Sequence, residues 1–316
     1  MFSLLLLSAC GDFGNEYGED MLPTSDQVAI NMPIVSDADK SPADPEDWAM
    51  FYESTRTVTE DVNGMIGFVL GTVALVVTTQ EPSWVDDDKT KAMWGPYSDS
   101  GLDPVETGIT VEKLEDGAYA WTVFQVPNGG TVETDSVVIV DGHVDPGATR
   151  EAASGAFTLD YSAANDLDPS VHLVGGWDTT YAYDDGGVAA SVIADDYGWE
   201  GLGYRDAVYT YVEDYEGAGE MDLAYEADVN GSGTKETITL KSRWQADGMG
   251  RGDAQILEGD IAAAVTASEC WGTDFKTSYW TDSIELYDEV GEQGACTFAE
   301  ASYADEASFT EVEAVE

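Results

Sequence analysis

Ala118-Tyr119-Ala120-Trp121-Thr122-Val123-Phe124-Gln125-Val126, closed by Pro127-Asn128-Gly129-Gly130, is the stretch that decides the fold. Aromatic and β-branched residues fit a pleated, half-buried surface, and the Pro-Asn-Gly-Gly behind them is turn chemistry. The same unit recurs along the chain. Runs at 136–140, 155–161, 175–183, 188–194, 207–213, 221–229, 236–244 and 263–270 are short and rich in apolar or β-branched residues, bounded by Gly, Asp, Asn or Pro. Thr237-Ile238-Thr239-Leu240 and Met221-Asp222-Leu223-Ala224 show apolar–polar alternation, and Asp184-Asp185-Gly186-Gly187 and Asp228-Val229-Asn230-Gly231 suit hairpins. From about residue 93 onward this reads as about eleven antiparallel strands. Only Ala163 to Asp168 suggests a helical turn among them, so a parallel βαβ arrangement is not expected.

Ahead of the strands lies one long helix candidate. Asp44-Pro45-Glu46-Asp47 is a helix-start signal, and Trp48, Phe51, Tyr52, Thr55, Val58, Val62, Met65, Ile66, Val69, Leu70, Val73 and Val77 recur at three and four. The helix is expected over 46–77. Beyond Val62 the other positions are largely small or apolar, among them Gly64, Gly67, Gly71 and Ala74, which predicts a helix enclosed by protein on all sides. The apolar run from Val62 to Val77 is short for a membrane span. The expected fold is mainly β with one long helix: an antiparallel meander forming a curved sheet, half-barrel or barrel packed on that helix. A large sheet must roll up or be covered to bury its apolar face.

The composition narrows the function classes. Lys plus Arg total 12 against 63 Asp plus Glu in 316 residues, a formal net charge of −51. No basic surface exists to displace counterions from phosphates, so no nucleic-acid partner is expected. With 43% hydrophobic residues the chain has enough apolar surface to fold.

The first residues, Met1-Phe2-Ser3-Leu4-Leu5-Leu6-Leu7-Ser8-Ala9-Cys10, form a short apolar run ending in Leu7-Ser8-Ala9-Cys10. This resembles the lipobox of bacterial lipoproteins. The resemblance implies a signal peptide over 1–9, cleavage before Cys10, diacylglycerol on its sulfur and an acyl chain such as palmitate on the new amino group. The one departure is the absence of Lys or Arg ahead of the run. Two or three acyl chains give stable anchoring, so the implied partner is the membrane, reached through Cys10. Gly11, where an aspartate favours inner-membrane retention in enterobacterial lipoproteins, points to the outer membrane. Residues 10–45, rich in Gly, Asp, Glu, Ser and Pro, read as an acidic tether, with Val28-Ala29-Ile30 as a short segment able to dock. Residues 46–303 read as a single β-rich domain and 304–316 as an acidic, disordered tail. In element order the chain is similar to the lipoprotein-carrier half-barrels of the LolA/LolB type, with no residue motif to carry over.

An exported setting favours a disulfide between Cys270 and Cys296; its loop would add roughly 3 kcal/mol in the chain-entropy picture. A redox pair lacks CxxC spacing, and a metal pair lacks a histidine nearby.

Other motifs lead to little. Asp228 to Gly233 is like the start of a calcium loop, but its twelfth position is Thr239 instead of glutamate. Arg251-Gly252-Asp253 spells an adhesion tripeptide, and Gly248-Met249-Gly250 before it suggests a loop or hairpin. Asp86-Asp87-Asp88 reads as a solvated charge run. His143 and His172 are the only two histidines; one sits in a turn pattern and one in a strand pattern. Neither nucleophile nor cofactor motifs occur, so no cofactor is implied. Paired carboxylates could serve a hydrolase, but abundance without spacing identifies no pair.

The expected role is therefore a non-enzymatic envelope lipoprotein, either a structural or interaction module contacting envelope proteins, or a carrier of a lipid or other apolar ligand. In the carrier reading Phe51, Met65, Val69, Trp121 and Phe124 would line a cavity between helix and sheet. Acids spread along a chain with little Lys also match salt-adapted proteins, since −51 self-repels at low ionic strength. Urea midpoints are expected to rise with salt; a flat profile would rule out that account of the acidity.

Overall fold

The computed structural model describes residues 25–33, 48–98, 103–146, 152–199 and 203–304. Cys10 lies outside them, as do the helix-start signal at Asp44–Asp47, most of the expected tether and all but Ala304 of the expected tail. One sheet organises the described chain. Its strands are β1 Trp84–Val85, β2 Lys91–Tyr97, β3 Val105–Lys113, β4 Tyr119–Pro127, β5 Val137–Pro146, β6 Ala153–Asp160 and β7 Leu173–Asp184. They continue as β8 Gly187–Trp199, β9 Gly203–Asp214, β10 Gly219–Ala227, β11 Glu236–Trp244, β12 Gly250–Leu257, β13 Val265–Trp271 and β14 Thr277–Asp282. All 14 lie in chain order, a meander in which β1 and β14 remain edges. Helices α1 Ser25–Val28, α2 Met50–Thr79, α3 Val132–Asp135 and α4 Tyr161–Leu167 complete the fold.

The meander and the long helix agree with expectation. The strand count is higher, because β1 to β3, β12 and β14 have weak local signals and exist through their neighbours. Gly95-Pro96 interrupts β2, and β12 begins Gly250-Arg251-Gly252-Asp253, which reads locally as a loop. The turn at Ala163–Asp168 is α4, which Asp160 caps by accepting a hydrogen bond from the Ala163 N–H at 2.8 Å.

Aromatic residues stand opposite glycines across the ladder. Trp121 faces Gly142, Tyr181 faces Gly155, Trp244 faces Gly219, Trp271 faces Gly250 and Phe124 faces Gly108. At each, a Cβ on the glycine would collide with the opposing ring. The glycine supplies the space in which a large ring covers the adjacent strand. Trp121, Tyr181, Trp244 and Trp271 belong to the core formed with α2.

α2 is the spine of that core. Phe51, Tyr52, Thr55, Thr59, Val62, Ile66, Val69, Leu70, Val73 and Val77 are buried. Its N-terminal half is keyed to the sheet: the Thr55 hydroxyl meets the Ser242 hydroxyl at 2.5 Å, and Thr59 meets the Tyr209 hydroxyl at 3.3 Å. Tyr52 stacks on Phe275 with centroids 4.5 Å apart. The helix start has no side-chain cap from Ala49; instead the Glu269 carboxylate on β13 accepts the Phe51 N–H at 2.6 Å and the Thr277 hydroxyl at 2.6 Å. A carboxylate at a helix N-terminus meets both free N–H groups and the positive end of the dipole. At the other end the Trp94 indole donates to the Gln80 carbonyl at 3.1 Å.

The expectation of a helix enclosed on all sides fails. Phe68 is 74% exposed and Leu75 62%, while a Cβ on Gly64 or Gly71 would meet nothing within 4 Å. These positions share one face at helical spacing, pointing away from the sheet. Gly71 therefore does not let the helix approach the strands. By length and composition α2 could cross a membrane, with a mean hydropathy of 1.8 and 33% of its most apolar window buried.

Residues 25–33, within the expected tether, are docked. Val28, Ile30 and Met32 are buried in the core. Asn63, the polar residue inside the apolar helix, clamps this arm: its amide accepts the Ile30 N–H at 2.9 Å and donates to the Ile30 carbonyl at 2.7 Å. Glu213, itself buried, accepts the Asn31 N–H at 3.1 Å and the Tyr211 hydroxyl at 2.9 Å. Burial raises the Glu213 carboxyl above its ordinary value, and these hydrogen bonds oppose the shift without cancelling it.

Two outcomes are expected from these contacts. Gly142→Val forces the Trp121 ring to move and should cost about 3 kcal/mol, read as a lower urea midpoint, with Gly64→Val as the control that adds the same side chain where a Cβ meets nothing within 4 Å. For Glu213 the raised pKa means a stabilising contribution present below the ordinary value of 4.5 and lost as pH rises through the folded value. Glu213→Gln should therefore flatten part of the fall in urea midpoint above pH 4.5, and an unchanged slope would show that Glu213 is not the group responsible.

Candidate functional site

One concavity lies where α2 passes over β2, β3 and β4. Trp94, Ile109 and Val123 stand directly opposite one another on these strands and form its floor. Thr72 and Val76 of α2 lie over them. Tyr97, Pro104, Val105 and Thr107 extend the wall, and Asp103 and Asp168 supply carboxylates. The volume is about 390 Å³, in the range of small-molecule sites. Thr72 is exposed and shares its helix face with Phe68 and Leu75, so the apolar outer stripe of α2 borders the site.

This site lies between helix and sheet, and residues other than the five named from the sequence line it. Phe51 packs over Gly252 and beside Trp280, with centroids 5.5 Å apart, near the opposite end of the helix. Met65, Val69, Trp121 and Phe124 are not among the residues that line the site. Trp121 and Phe124 cannot share a cavity: regular pairing with β3 puts residues of opposite parity on opposite faces of β4. A bulge between Val123 and Phe124 in the pairing with β5 accompanies the switch in burial from odd to even positions. The sheet residues that do line the site come mostly from β2 and β3, whose strand signals are weak. The Trp94–Ile109–Val123 row becomes visible only once register is known.

A second cavity, about 360 Å³, is bounded by the arm residues Gln27, Ala29 and Asn31 and by Tyr183, Val188, Glu213, Asp214, Tyr215 and Gly217. Here the carboxylate of Glu213 is committed to holding the arm.

The Arg251-Gly252-Asp253 triplet is not a recognition loop. It lies inside β12, with Arg251 1% and Asp253 0% exposed, because β11 and β13 flank it on both sides. Arg251 Nε donates to Asp253 at 2.8 Å and Nη2 to the Ser268 hydroxyl at 3.2 Å. Its Nη1 donates to the carbonyls of Phe298 and Ala299 at 3.1 and 3.3 Å. Asp253 accepts the Ser302 N–H at 3.0 Å, and Arg243 donates to the Glu300 carbonyl at 2.9 Å. A buried ion pair is stable only when its remaining donors and acceptors are met, and here the C-terminal segment meets them. The Cys270–Cys296 disulfide, with Cα atoms 5.7 Å apart, ties that segment to β13.

Asp228 behaves as a hairpin residue, accepting the Ser232 and Gly233 N–H groups at 3.0 and 2.9 Å, while Asn230 donates to Asp260 at 2.6 Å. Among the described residues no group of three or more His, Cys, Asp or Glu could hold a metal ion. Asp86 accepts the N–H groups of Thr90 and Lys91 at 2.8 and 3.0 Å, and these hold its carboxyl below the usual range. His143 lies 3.9 Å from Asp145 on an exposed part of β5, and His172 is exposed with φ 57°. Compared with protein-family models, curated proteins and solved structures, the chain matches none of them.

Proposed function

We propose that this chain is a non-enzymatic lipoprotein of the bacterial cell envelope, held at the outer membrane by acyl chains on Cys10, and that it works as an interaction module. The address rests on Leu7-Ser8-Ala9-Cys10. The role rests on one observation: Val62 to Gln80 contains no Asp, Glu, Lys or Arg in a chain of net charge −51, yet its Phe68 and Leu75 stand exposed on α2. Apolar residues grouped on an otherwise charged surface mark contact sites. A second reading, the carrier of an apolar ligand, draws on the cavity of about 390 Å³ beside the same stretch of helix.

One experiment on the authentic gene product in a Gram-negative host tests both parts of the main reading. Intact mass of membrane-extracted protein is expected to show a chain starting at Cys10 with acyl groups, lost in Cys10→Ser. A photo-crosslinking residue at Phe68 is expected to yield adducts in intact cells, while one at exposed Glu53 on the acidic part of the helix does not. A water-extracted, unmodified chain overturns the address, and equal labelling at both positions overturns the role.

A further inference from the structure

The lining of the cavity beside α2 carries information on ligand charge. It contains Asp103 and Asp168 and no Lys, Arg or His. An apolar ligand with a carboxylate or phosphate head would be desolvated there with no cation to meet it, against two carboxylates of its own sign. The whole-molecule charge of −51 adds a long-range field that repels anions and concentrates cations at the mouth. The wall contains Tyr97, which is 46% exposed, and aromatic rings attract organic cations. Trp94, Ile109, Val123, Val105 and Val76 supply the apolar body of the site.

We infer that this cavity binds a small amphiphile with an ammonium head, its apolar body over the Trp94–Ile109–Val123 row and its cation near Asp103 and Asp168. The inference rests on the carrier reading and adds the charge class of the ligand. Asp103 receives the Ser98 hydroxyl at 3.3 Å and Asp168 receives the Ser170 N–H at 3.0 Å, contacts that fix each carboxylate.

Three probes with one alkyl chain separate the possibilities: decylammonium, decanol and decanoate, each titrated below its micellar concentration into the full chain by calorimetry. High salt screens general attraction to the acidic surface. Decylammonium is expected to bind roughly tenfold tighter than decanol, as one charge-assisted contact allows, with decanoate weakest. Asp103→Asn with Asp168→Asn should bring decylammonium to the level of decanol. Thr72→Trp, at an exposed helix position, should block the mouth and abolish binding of all three, with an unchanged urea midpoint showing that the fold is kept. Decanoate binding as tightly as decylammonium overturns the inference, as does decylammonium binding that ignores the Asn and Trp variants. Decanol binding with no preference for the ammonium also overturns it, while leaving the carrier reading in place. Failure of all three probes overturns both.

Discussion

A ring laid over a glycine on the neighbouring strand is the contact on which this molecule depends. An open antiparallel sheet of 14 strands has a large apolar face and few elements to cover it. Trp121 over Gly142, Tyr181 over Gly155, Trp244 over Gly219 and Trp271 over Gly250 let large rings lie within the sheet's own surface beneath α2. Each pair joins burial to register, because a one-residue slip would move the ring off its glycine and onto a side chain. The apolar face is thereby filled by the sheet's own side chains, and one helix with the docked arm completes the core.

Around that core several buried or half-buried polar groups hold chain segments onto the sheet. Glu269 holds the start of α2, Asn63 and Glu213 hold the arm at residues 30 and 31, and Arg251 with Asp253 holds the segment near 298–302. Isolated buried charge is costly, so each carboxylate or guanidinium is met by main-chain groups or hydroxyls. In a chain with so many acids, a few have been placed inward as acceptors for N–H groups that secondary structure leaves free. The disulfide reinforces the last of these attachments covalently.

The two halves of α2 differ in their surroundings. The N-terminal half bears acids on its outer face and hydroxyl contacts to the sheet. The C-terminal half is uncharged all round, packs one side on the core and leaves Phe68 and Leu75 outside. The cavity over β2–β4 opens beside that same uncharged stretch, so an apolar contact surface and an apolar cavity share one border. The interaction and carrier readings therefore concern neighbouring parts of one surface.

Local sequence determined the helix, most strands from β4 onward and the antiparallel order, because periodicity and turn residues act over a few positions; the cysteine pair was expected from the exported setting instead. Tertiary structure alone decided the rest. Arg251-Gly252-Asp253 became a buried strand since β11 and β13 supply its ladder, and Glu269 became a helix cap from a position 218 residues away in sequence. Among the described residues nothing covers the outer face of α2, even though its composition resembles that of a fully buried helix. Hydrophobicity states how favourable burial would be; only the placement of other segments supplies the surface to bury against.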